Sequence, residues 1–450
     1  MLAMADCRCM VSLTICKPVA WLTSILIGCS LGSATTGLLG QGAIAAEPDA
    51  AAQTQQPLQP SAPSWPTLQS LLNLPDWINL ELDWTAEPMG GNNPTVNPAG
   101  AAAWIQQVVI SSEFSSGLNK PTAQWQEFDH WKLALQLSSF SGNPNLNLDL
   151  GAAFPLQTTA HPVGLWLTEA SLQRSAGQGD VNLKAGLLPL NPSFIENPSL
   201  DSYIHSALNN TLNLLIPGLP INPFVAPGAE VHWRPGAGHE IRIGNYWLDS
   251  ETALASMLGV DPVQPDVRGT LQIVQWNLSR LPGSRRVADP IQSPQGPISR
   301  QLPPPLLQLG AFSTTASSDL APAASNQGVY GSLTLPATLP IGLDNRLWIA
   351  LSNGFNAEAN PFPLFVAGGW LNQGLIPGRP LDVLAFGFGR TSFSPQLSPG
   401  TFEAVLELNY AISINAQLTL QPVIQWIANP GGGNAGPSAW AGGLQINLTL

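Results

Sequence analysis

The sequence predicts an all-β fold, a transmembrane antiparallel β-barrel of about 16 strands. The strongest sign is the stretch 402–450, where apolar and polar residues alternate through three runs. A period of two places successive side chains on opposite faces of a strand. Each run has about ten residues or more, which is the length of a tilted strand that crosses a bilayer. One face is apolar and the other carries Gln, Asn, Thr and Glu, which is typical of a wall between lipid and water.

The composition agrees with this fold and disfavours a helical membrane protein. Of the 450 residues, 44% are apolar and 10% are charged, whereas about 25% are charged in ordinary globular domains. No run of about 20 apolar residues follows residue 46, so no membrane-spanning helix is predicted there. The 42 glycines and 43 prolines indicate many turns, and the 15 tryptophans suit the membrane interface. The terminal runs alone would also fit a soluble sheet with one wet face.

Charge and cysteine usage exclude several functions. The net charge of −12 argues against nucleic acid as a partner and suggests a lumen that mildly favours cations. All four cysteines lie within the first 29 residues. If an export signal is removed there, the mature chain has no disulfide, no thiolate metal site and no thiol nucleophile.

Motifs for catalysis or cofactor binding are missing from the sequence. The five histidines form no HExxH pair or other zinc spacing, and no GxSxG elbow occurs. The glycine-rich loop 431–436 lacks the Lys-Ser/Thr of a phosphate-binding loop. We therefore predict no cofactor, no metal site and no enzyme. A barrel lipase, whose triad need not be local in sequence, is the catalytic alternative.

Residues 1–46 are predicted to be a signal peptide. Lys17 precedes an apolar stretch that begins at Val19, and Ala43-Ile44-Ala45 offers a small-residue cleavage site. A transmembrane anchor is one alternative, and lipoprotein processing at Cys29 is another.

Residues 47–76 are predicted to be a disordered periplasmic lead-in, because they are rich in Ala, Gln and Pro. Within them, Leu68, Leu71 and Leu72 can form one short helical turn. The barrel domain is then predicted to occupy residues 77–450. Its sixteen candidate strands begin near residues 77, 103, 130, 164, 180, 229, 239, 269, 305, 327, 345, 364, 381, 402, 417 and 439.

Charged residues in the candidate strands alternate with apolar ones and are predicted to face the lumen. An Arg or Lys that faced lipid near the midplane would cost about 2–4 kcal/mol. Glu169 is an exception, because it shares its parity with Leu165 and Leu167. Pro422 lies inside a strand and cannot donate to the ladder, so we expect a local bulge or a missing hydrogen bond.

Loop lengths are predicted to alternate between long outer loops and short periplasmic turns. The segment 280–304 is too long for a turn, so either the strand count slips there or the turn carries an insertion. The longest connection, 189–228, is predicted to fold into the lumen, and an exposed cap is its alternative. The outer loops are predicted at 85–102, 140–163, 189–228, 248–268, 315–326, 354–363, 392–401 and 429–438.

Several motifs, in order along the chain, resemble the carbohydrate-selective porin (OprB) family in its cyanobacterial form. They are Pro223-Phe224-Val225-Ala226-Pro227-Gly228-Ala229-Glu230-Val231, Gly328-Val329-Tyr330-Gly331, Asn360-Pro361-Phe362-Pro363, Gly378-Arg379-Pro380-Leu381-Asp382 and Leu420-Gln421-Pro422-Val423-Ile424-Gln425-Trp426-Ile427. The resemblance implies a sixteen-stranded outer-membrane pore that passes sugars by diffusion. Two departures are the short segment 47–76, which cannot hold the envelope-binding domain of many relatives, and the non-aromatic terminus Leu450.

The predicted function is passive diffusion of small hydrophilic solutes, carbohydrates above all, through an outer-membrane porin. A non-selective or ion-passing porin and a plugged structural barrel are the alternatives. The predicted partners are sugars and outer-membrane lipid, with a homotrimer by analogy to other sixteen-stranded porins. The residues predicted to line the pore or bind solute are Arg234, Arg242, Glu230, Glu240, Glu407, Gln421 and Gln425 on strands, and Tyr203, His205 and Asn209 in the long loop.

Overall fold

The computed structural model describes most of the barrel domain. The described residues are 65–115, 130–176, 180–209, 219–249, 257–258, 268–284, 287, 289–293, 296–316, 325–396 and 400–450. The predicted signal peptide and the first part of the predicted lead-in lie outside them. In these ranges no helix is long and apolar enough to span a bilayer.

A short helix, α1 (Leu68–Leu71), precedes the barrel and confirms the predicted helical turn. Thr67 caps it by accepting a hydrogen bond from the Ser70 amide, which satisfies one of the free N–H groups at a helix start. The backbone of Trp65 is bonded to the Gln417 side chain, at 3.3 and 2.8 Å. The chain just before the barrel is therefore held against the connection that contains Gln417.

Sixteen long strands of the described residues make up the barrel. They are β1 (Ile78–Asn93), β2 (Asn97–Ser115), β3 (His130–Gly142), β4 (Gly164–Ala176), β5 (Val181–Leu188), β6 (Ala226–Gly236), β7 (His239–Asp249), β8 (Arg268–Leu278), β9 (Leu306–Thr314), β10 (Asn326–Pro336), β11 (Asp344–Gly354), β12 (Leu364–Gln373), β13 (Val383–Ser392), β14 (Phe402–Ser413), β15 (Leu418–Ala428) and β16 (Ser438–Thr449).

The barrel closes without an edge. Each strand pairs antiparallel with its sequence neighbours, and β16 pairs antiparallel with β1, with Leu448 opposite Trp84. Closure leaves no row of unpaired N–H and C=O groups, which hydrocarbon could not satisfy. The predicted fold class is confirmed.

The largest departure from the predicted boundaries is the first hairpin. Strand β1 continues to Asn93 and β2 begins at Asn97, so the predicted outer loop 85–102 is wrong. Glycine and alanine dominate this part of the sequence and hide its alternation. The structure needs these small residues, because a Cβ on Gly91 would lie 2.5 Å from the Leu150 side chain and from the Trp440 carbonyl oxygen.

The long connection between β8 and β9 is an insertion, and the strand count holds. It contains a small hairpin, Ile291–Ser293 with Gly296–Ile298. Its last part enters the end of the barrel, where Arg300 forms a 2.6 Å ion pair with Asp344. Arg346, fully buried, donates to the Pro303 carbonyl oxygen at 2.7 Å and to Asp344.

A β-bulge in β4 explains the exceptional parity of Glu169. Gln136 lies opposite Glu169 but Leu137 lies opposite Leu167, so Thr168 is an extra residue in β4. The extra residue reverses the alternation and turns Glu169 into the lumen. There its carboxylate forms a 2.9 Å ion pair with Lys184.

Pro422 interrupts one ladder without a bulge. Strands β14 and β15 pair at Asn409–Val423 and again at Ile412–Leu420 in the same register, with no pair at Pro422 between them. On its other side Pro422 lies opposite Leu444 in an unbroken ladder. The missing-bond alternative is therefore the one that the structure adopts.

Candidate functional site

The connection between β5 and β6, called the long loop here (residues 189–225, of which 189–209 and 219–225 are described), enters the lumen. It lies along the inner wall and contacts one strand after another, as predicted for a loop that folds inward. Its contacts are Ser193 Oγ to Glu230 of β6 (2.5 Å), the Ile195 amide to Gln275 of β8 (3.0 Å), Asn197 to Ser332 of β10 (2.7 Å), Ser199 to Thr334 of β10 (2.7 Å) and the Tyr203 hydroxyl to the Phe386 carbonyl oxygen of β13 (2.9 Å).

Tyr203 is the apolar anchor of the long loop. Its ring is buried and meets the Trp348 ring edge-on, with centroids 5.4 Å apart. The Trp348 indole N–H donates to the Tyr203 hydroxyl at 2.9 Å. The inward positions Gly369 and Gly387 leave room for this side chain, since a Cβ on either would lie 2.5 Å from a Tyr203 atom.

The connection between β3 and β4, called the second loop here (143–163), also folds inward, which the sequence analysis did not predict. It contains helix α2 (Leu146–Leu150), whose Leu146 and Leu150 are buried. The Ala153 and Phe154 amides donate to Glu403 of β14 at 2.8 and 3.3 Å. The amides of Thr158 and Thr159 donate to Glu87 of β1 at 3.3 and 2.9 Å.

The two loops divide the inner surface of the barrel into two walls. The inward side chains of β8 to β15, called the covered wall, are buried almost throughout, including Gln275, Ser332, Trp348, Glu407 and Gln425. The inward side chains of β1 to β5, called the open wall, are buried near the ends that the second loop covers and at Ser171, Asn182 and Leu188, and many of the others are partly exposed. The space between the long loop and the open wall is therefore the candidate route for solute.

Paired charges and polar groups line the open wall. Lys132 and Glu113 form a 2.7 Å ion pair whose side chains are 32% and 37% exposed. Lys184 and Glu169 form the second pair, with both side chains 15% exposed. Because each cation lies beside a carboxylate, these two pairs present hydrogen-bonding groups without net charge.

A cavity of about 530 Å³ lies between the long loop and strands β6 to β9. The long loop contributes Glu196 and Asp201, and the wall contributes Arg234, Glu240 and Arg242. Glu240 lies between the two arginines, 3.1 Å from Arg234 and 2.7 Å from Arg242. The cavity thus places two carboxyl groups of the long loop opposite a wall that carries two arginines and Glu240.

Burial changes the ionisation of Glu196. Its carboxyl is half-buried, and loss of hydration raises its pKa to about 8, with the Asp201 charge acting in the same direction and Arg242 against it. The group therefore holds its proton near neutral pH. Its negative charge appears only above that pH.

The structure separates the predicted site residues into two groups. Arg234, Arg242 and Glu240 border the cavity, and Asn209, half-buried, donates to the Tyr203 carbonyl oxygen. The other six side chains are buried and cannot meet a solute in this conformation, because they pack the long loop or, for Gln425, also the second loop against the wall. They are Glu230, Glu407, Gln421, Gln425, Tyr203 and His205.

Further charged residues face the lumen and were not among the predicted site residues. Lys132, Glu113, Lys184 and Glu169 stand on the open wall, and strand parity identifies the first three as inward. Glu196 and Asp201 carry no periodic signal, since they lie in an irregular loop. Only the path of that loop brings them to the cavity.

Comparison with known proteins identifies the family. The model of the carbohydrate-selective porin, OprB family, matches residues 133–450. The structure is similar to the high-pH structure of Pseudomonas putida OprB, with a TM-score of 0.66 over 84% of this chain and 95% of that one, at 16% identity. The low-pH structure of the same protein gives a TM-score of 0.51 over 84% and 94%, at 14% identity.

No curated protein sequence matches the chain. At the identities given above, the structural likeness supports the fold alone, and the family follows from the sequence match. The closed sixteen-stranded barrel and the family match over residues 133–450 agree. This chain therefore belongs to the carbohydrate-selective porin, OprB family, and is an outer-membrane channel rather than an enzyme.

Proposed function

We propose that this porin lets small hydrophilic solutes, carbohydrates in particular, diffuse passively across the outer membrane. The proposed route runs between the long loop and the open wall and continues through the cavity beside Arg234 and Arg242. The observation that carries the proposal is the open wall, a strip of half-exposed polar side chains in a lumen whose other side is packed.

The open wall has the chemistry that a polyol needs. Glu81, Ser111, Gln136 and Glu169 lie side by side across β1 to β4. Gln136 donates to Ser111 at 3.0 Å, so an amide and a hydroxyl lie between two carboxyl groups in this row. A sugar that loses water on entering a narrow lumen can exchange its hydrogen bonds with such groups, which limits the cost of desolvation. The paired charges add further donors and acceptors without favouring one sign of ion.

The proposal is tested by the swelling rate of liposomes that contain the purified protein. Sugars of increasing size are compared with amino acids and salts of matched size. We expect sugars to permeate faster than the other solutes of equal size. Rates that follow size alone would instead support a general diffusion pore, and no swelling would support a plugged barrel.

A matched pair of variants tests the open wall itself. Gln136→Leu removes a donor and an acceptor from the lumen, and we expect sugar influx to fall more than salt influx. Leu135→Gln introduces the same groups at the neighbouring position, which faces outward and is 38% exposed. Equal sugar rates in Gln136→Leu and the unaltered protein would remove Gln136 from the route.

An ion-passing general porin is the second candidate. It is favoured by the charged side chains around the cavity, where Glu196 and Asp201 stand opposite Arg234 and Arg242. A solute attracted to one side of this field need not be a sugar. The salt and amino-acid series in the same liposomes distinguishes the two candidates.

Two further parts of the proposal concern export and assembly. We propose that residues 1–46 direct export, which N-terminal sequencing of the mature protein would test. We also propose a homotrimer, by analogy with other sixteen-stranded porins. Light scattering of the protein in detergent measures the oligomer directly.

A further inference from the structure

Three inward glutamates hold the two loops by the same device. Each carboxylate accepts hydrogen bonds from two successive backbone amides of a loop. Two oxygens facing two adjacent N–H groups form a charge-assisted pair of bonds, which is stronger than a neutral pair. The pairs are Glu87 with the amides of Thr158 and Thr159, Glu403 with those of Ala153 and Phe154, and Glu407 with those of Ile204 and His205.

Glu407 is the one of these three that holds the long loop. The Ile204 amide lies 2.8 Å from one carboxylate oxygen and the His205 amide 2.7 Å from the other. Asn409 and Gln425 each donate one further bond, at 2.8 and 3.1 Å. The carboxylate is fully buried. These four donors satisfy both carboxylate oxygens, so Glu407 needs no hydrogen bond from a solute.

Among the described residues, the groups that act on the Glu407 carboxylate are amides, and no cation is one of them. His205 is fully buried, and burial lowers its pKa to about 3, which keeps the ring neutral. Its Nδ1 accepts from the Ala207 amide at 3.1 Å. Amide donors alone therefore balance the carboxylate, and removing it would leave two buried N–H groups without an acceptor.

The hydrogen bonds between Glu407 and the amides of Ile204 and His205 lie next to the part of the long loop that borders the cavity. Asn409 and Gln421 both donate to the Ser202 carbonyl oxygen, at 2.8 and 3.0 Å. Asp201, the residue before Ser202, faces the cavity. The hydrogen bonds at Ser202 and Ile204 therefore fix the position of Asp201, which borders the cavity.

We propose that Glu407 is a positioning residue that sets the size limit of the pore. It holds residues 202–205 against β14 and so fixes how far the long loop extends towards the open wall. It does not contact solute. This inference rests on the proposed function, since it assumes that solute passes between the loop and the open wall.

The test compares Glu407→Gln with Glu403→Gln in the full-length protein. Both changes remove one carboxylate from the same face of β14, but Glu403 holds the second loop. Liposome influx is measured for neutral solutes of increasing size. Losing hydrogen bonds to a charged acceptor should raise the population of the detached long loop about tenfold or more. We therefore expect Glu407→Gln to raise influx of solutes just above the original limit about tenfold, while Glu403→Gln leaves that limit in place.

Two further variants keep the proposal falsifiable if Glu407→Gln does not assemble. Asn409→Ala removes one bond to Ser202 and one to Glu407, and we expect a smaller shift of the limit in the same direction. Glu407→Asp keeps both oxygens and should restore part of the original limit. An unchanged limit in folded Glu407→Gln or Asn409→Ala, or equal shifts in Glu407→Gln and Glu403→Gln, would overturn the proposal. If the unaltered protein admits no solute, the proposed function fails instead.

Discussion

The open wall and the covered wall share one sequence pattern and differ in what faces them. On both walls, polar residues alternate with apolar ones that face lipid. On the covered wall, Gln275, Ser332 and Glu407 bind the backbone or side chains of the long loop. On the open wall, Lys132 and Gln136 bind only wall groups in the described residues. Inward polarity in a barrel therefore marks either a loop anchor or a solute surface, and contacts decide which.

The largest expected effect comes from removing Tyr203, the apolar anchor of the long loop. Tyr203→Ala removes a fully packed aromatic side chain, a type of change that costs about 3–5 kcal/mol. We expect the barrel to stay closed, because its strand ladders do not involve Tyr203, and the long loop to detach. Single-channel conductance in planar bilayers should rise clearly. Tyr203→Phe loses only hydroxyl bonds, about 1 kcal/mol, and should change conductance little.

A smaller effect is expected from filling the space beside the same anchor. A Cβ on Gly387 would lie 2.5 Å from the Tyr203 ring, so Gly387→Ala should displace the ring and partly free the long loop. Gly442→Ala is the control on the lipid side, where the nearest atom is the Val423 carbonyl oxygen at 3.2 Å. Conductance should rise in the first variant only. If both variants behave alike, the ring does not hold the loop.

Charge reversal at the cavity should alter ion selectivity. Arg242→Glu replaces the cation that pairs with Glu240, and we expect cation over anion permeability to rise. Arg390→Glu is the control, since Arg390 lies over the Phe402 ring on the outward side of β13. Reversal potentials in a salt gradient measure the change. An unchanged reversal potential in Arg242→Glu would show that the permeating ions do not pass Arg242.

The smallest expected effect is a dependence of selectivity on pH. The pKa of Glu196 is raised to about 8 by burial, so the group is neutral below that pH and negative above it. Cation preference should increase as the pH rises from about 7 to 9. Glu196→Gln should flatten this part of the profile. A profile that is equally steep in Glu196→Gln would assign the titration to another group.

Strand positions could be predicted from the sequence because the alternation that marks a strand involves residues close together in the chain. Side chains along β14 alternate between lipid and lumen, and each inward charge follows that rule. The first hairpin was not predicted, because the glycines at 90–91 and the alanines at 101–103 differ little in polarity from their neighbours and so show no clear alternation. The orientation of Glu169 could not be predicted for a different reason. A single extra residue, Thr168, reverses the alternation in the rest of β4.

The roles of inward residues could not be predicted, because they depend on contacts between distant segments. Glu407 and Gln425 look like pore-lining residues in the sequence, yet they bind the backbone of His205 and Leu156. The alternation that revealed their orientation carries no information about what lies opposite. Glu196 and Asp201 show the converse, since no pattern marks a loop residue that the fold brings to the cavity.

The path of the long loop also has a mechanical consequence. From β6 to β15 the loop forms an inner layer against the wall, whereas the open wall is a single sheet that the long loop leaves uncovered over much of its length. A single sheet bends more readily than a sheet with a packed lining, because bending then compresses no side chains. Lateral pressure from the bilayer should therefore deform the open wall first. Since that wall borders the proposed route, the width of the channel should respond to the membrane in which it stands.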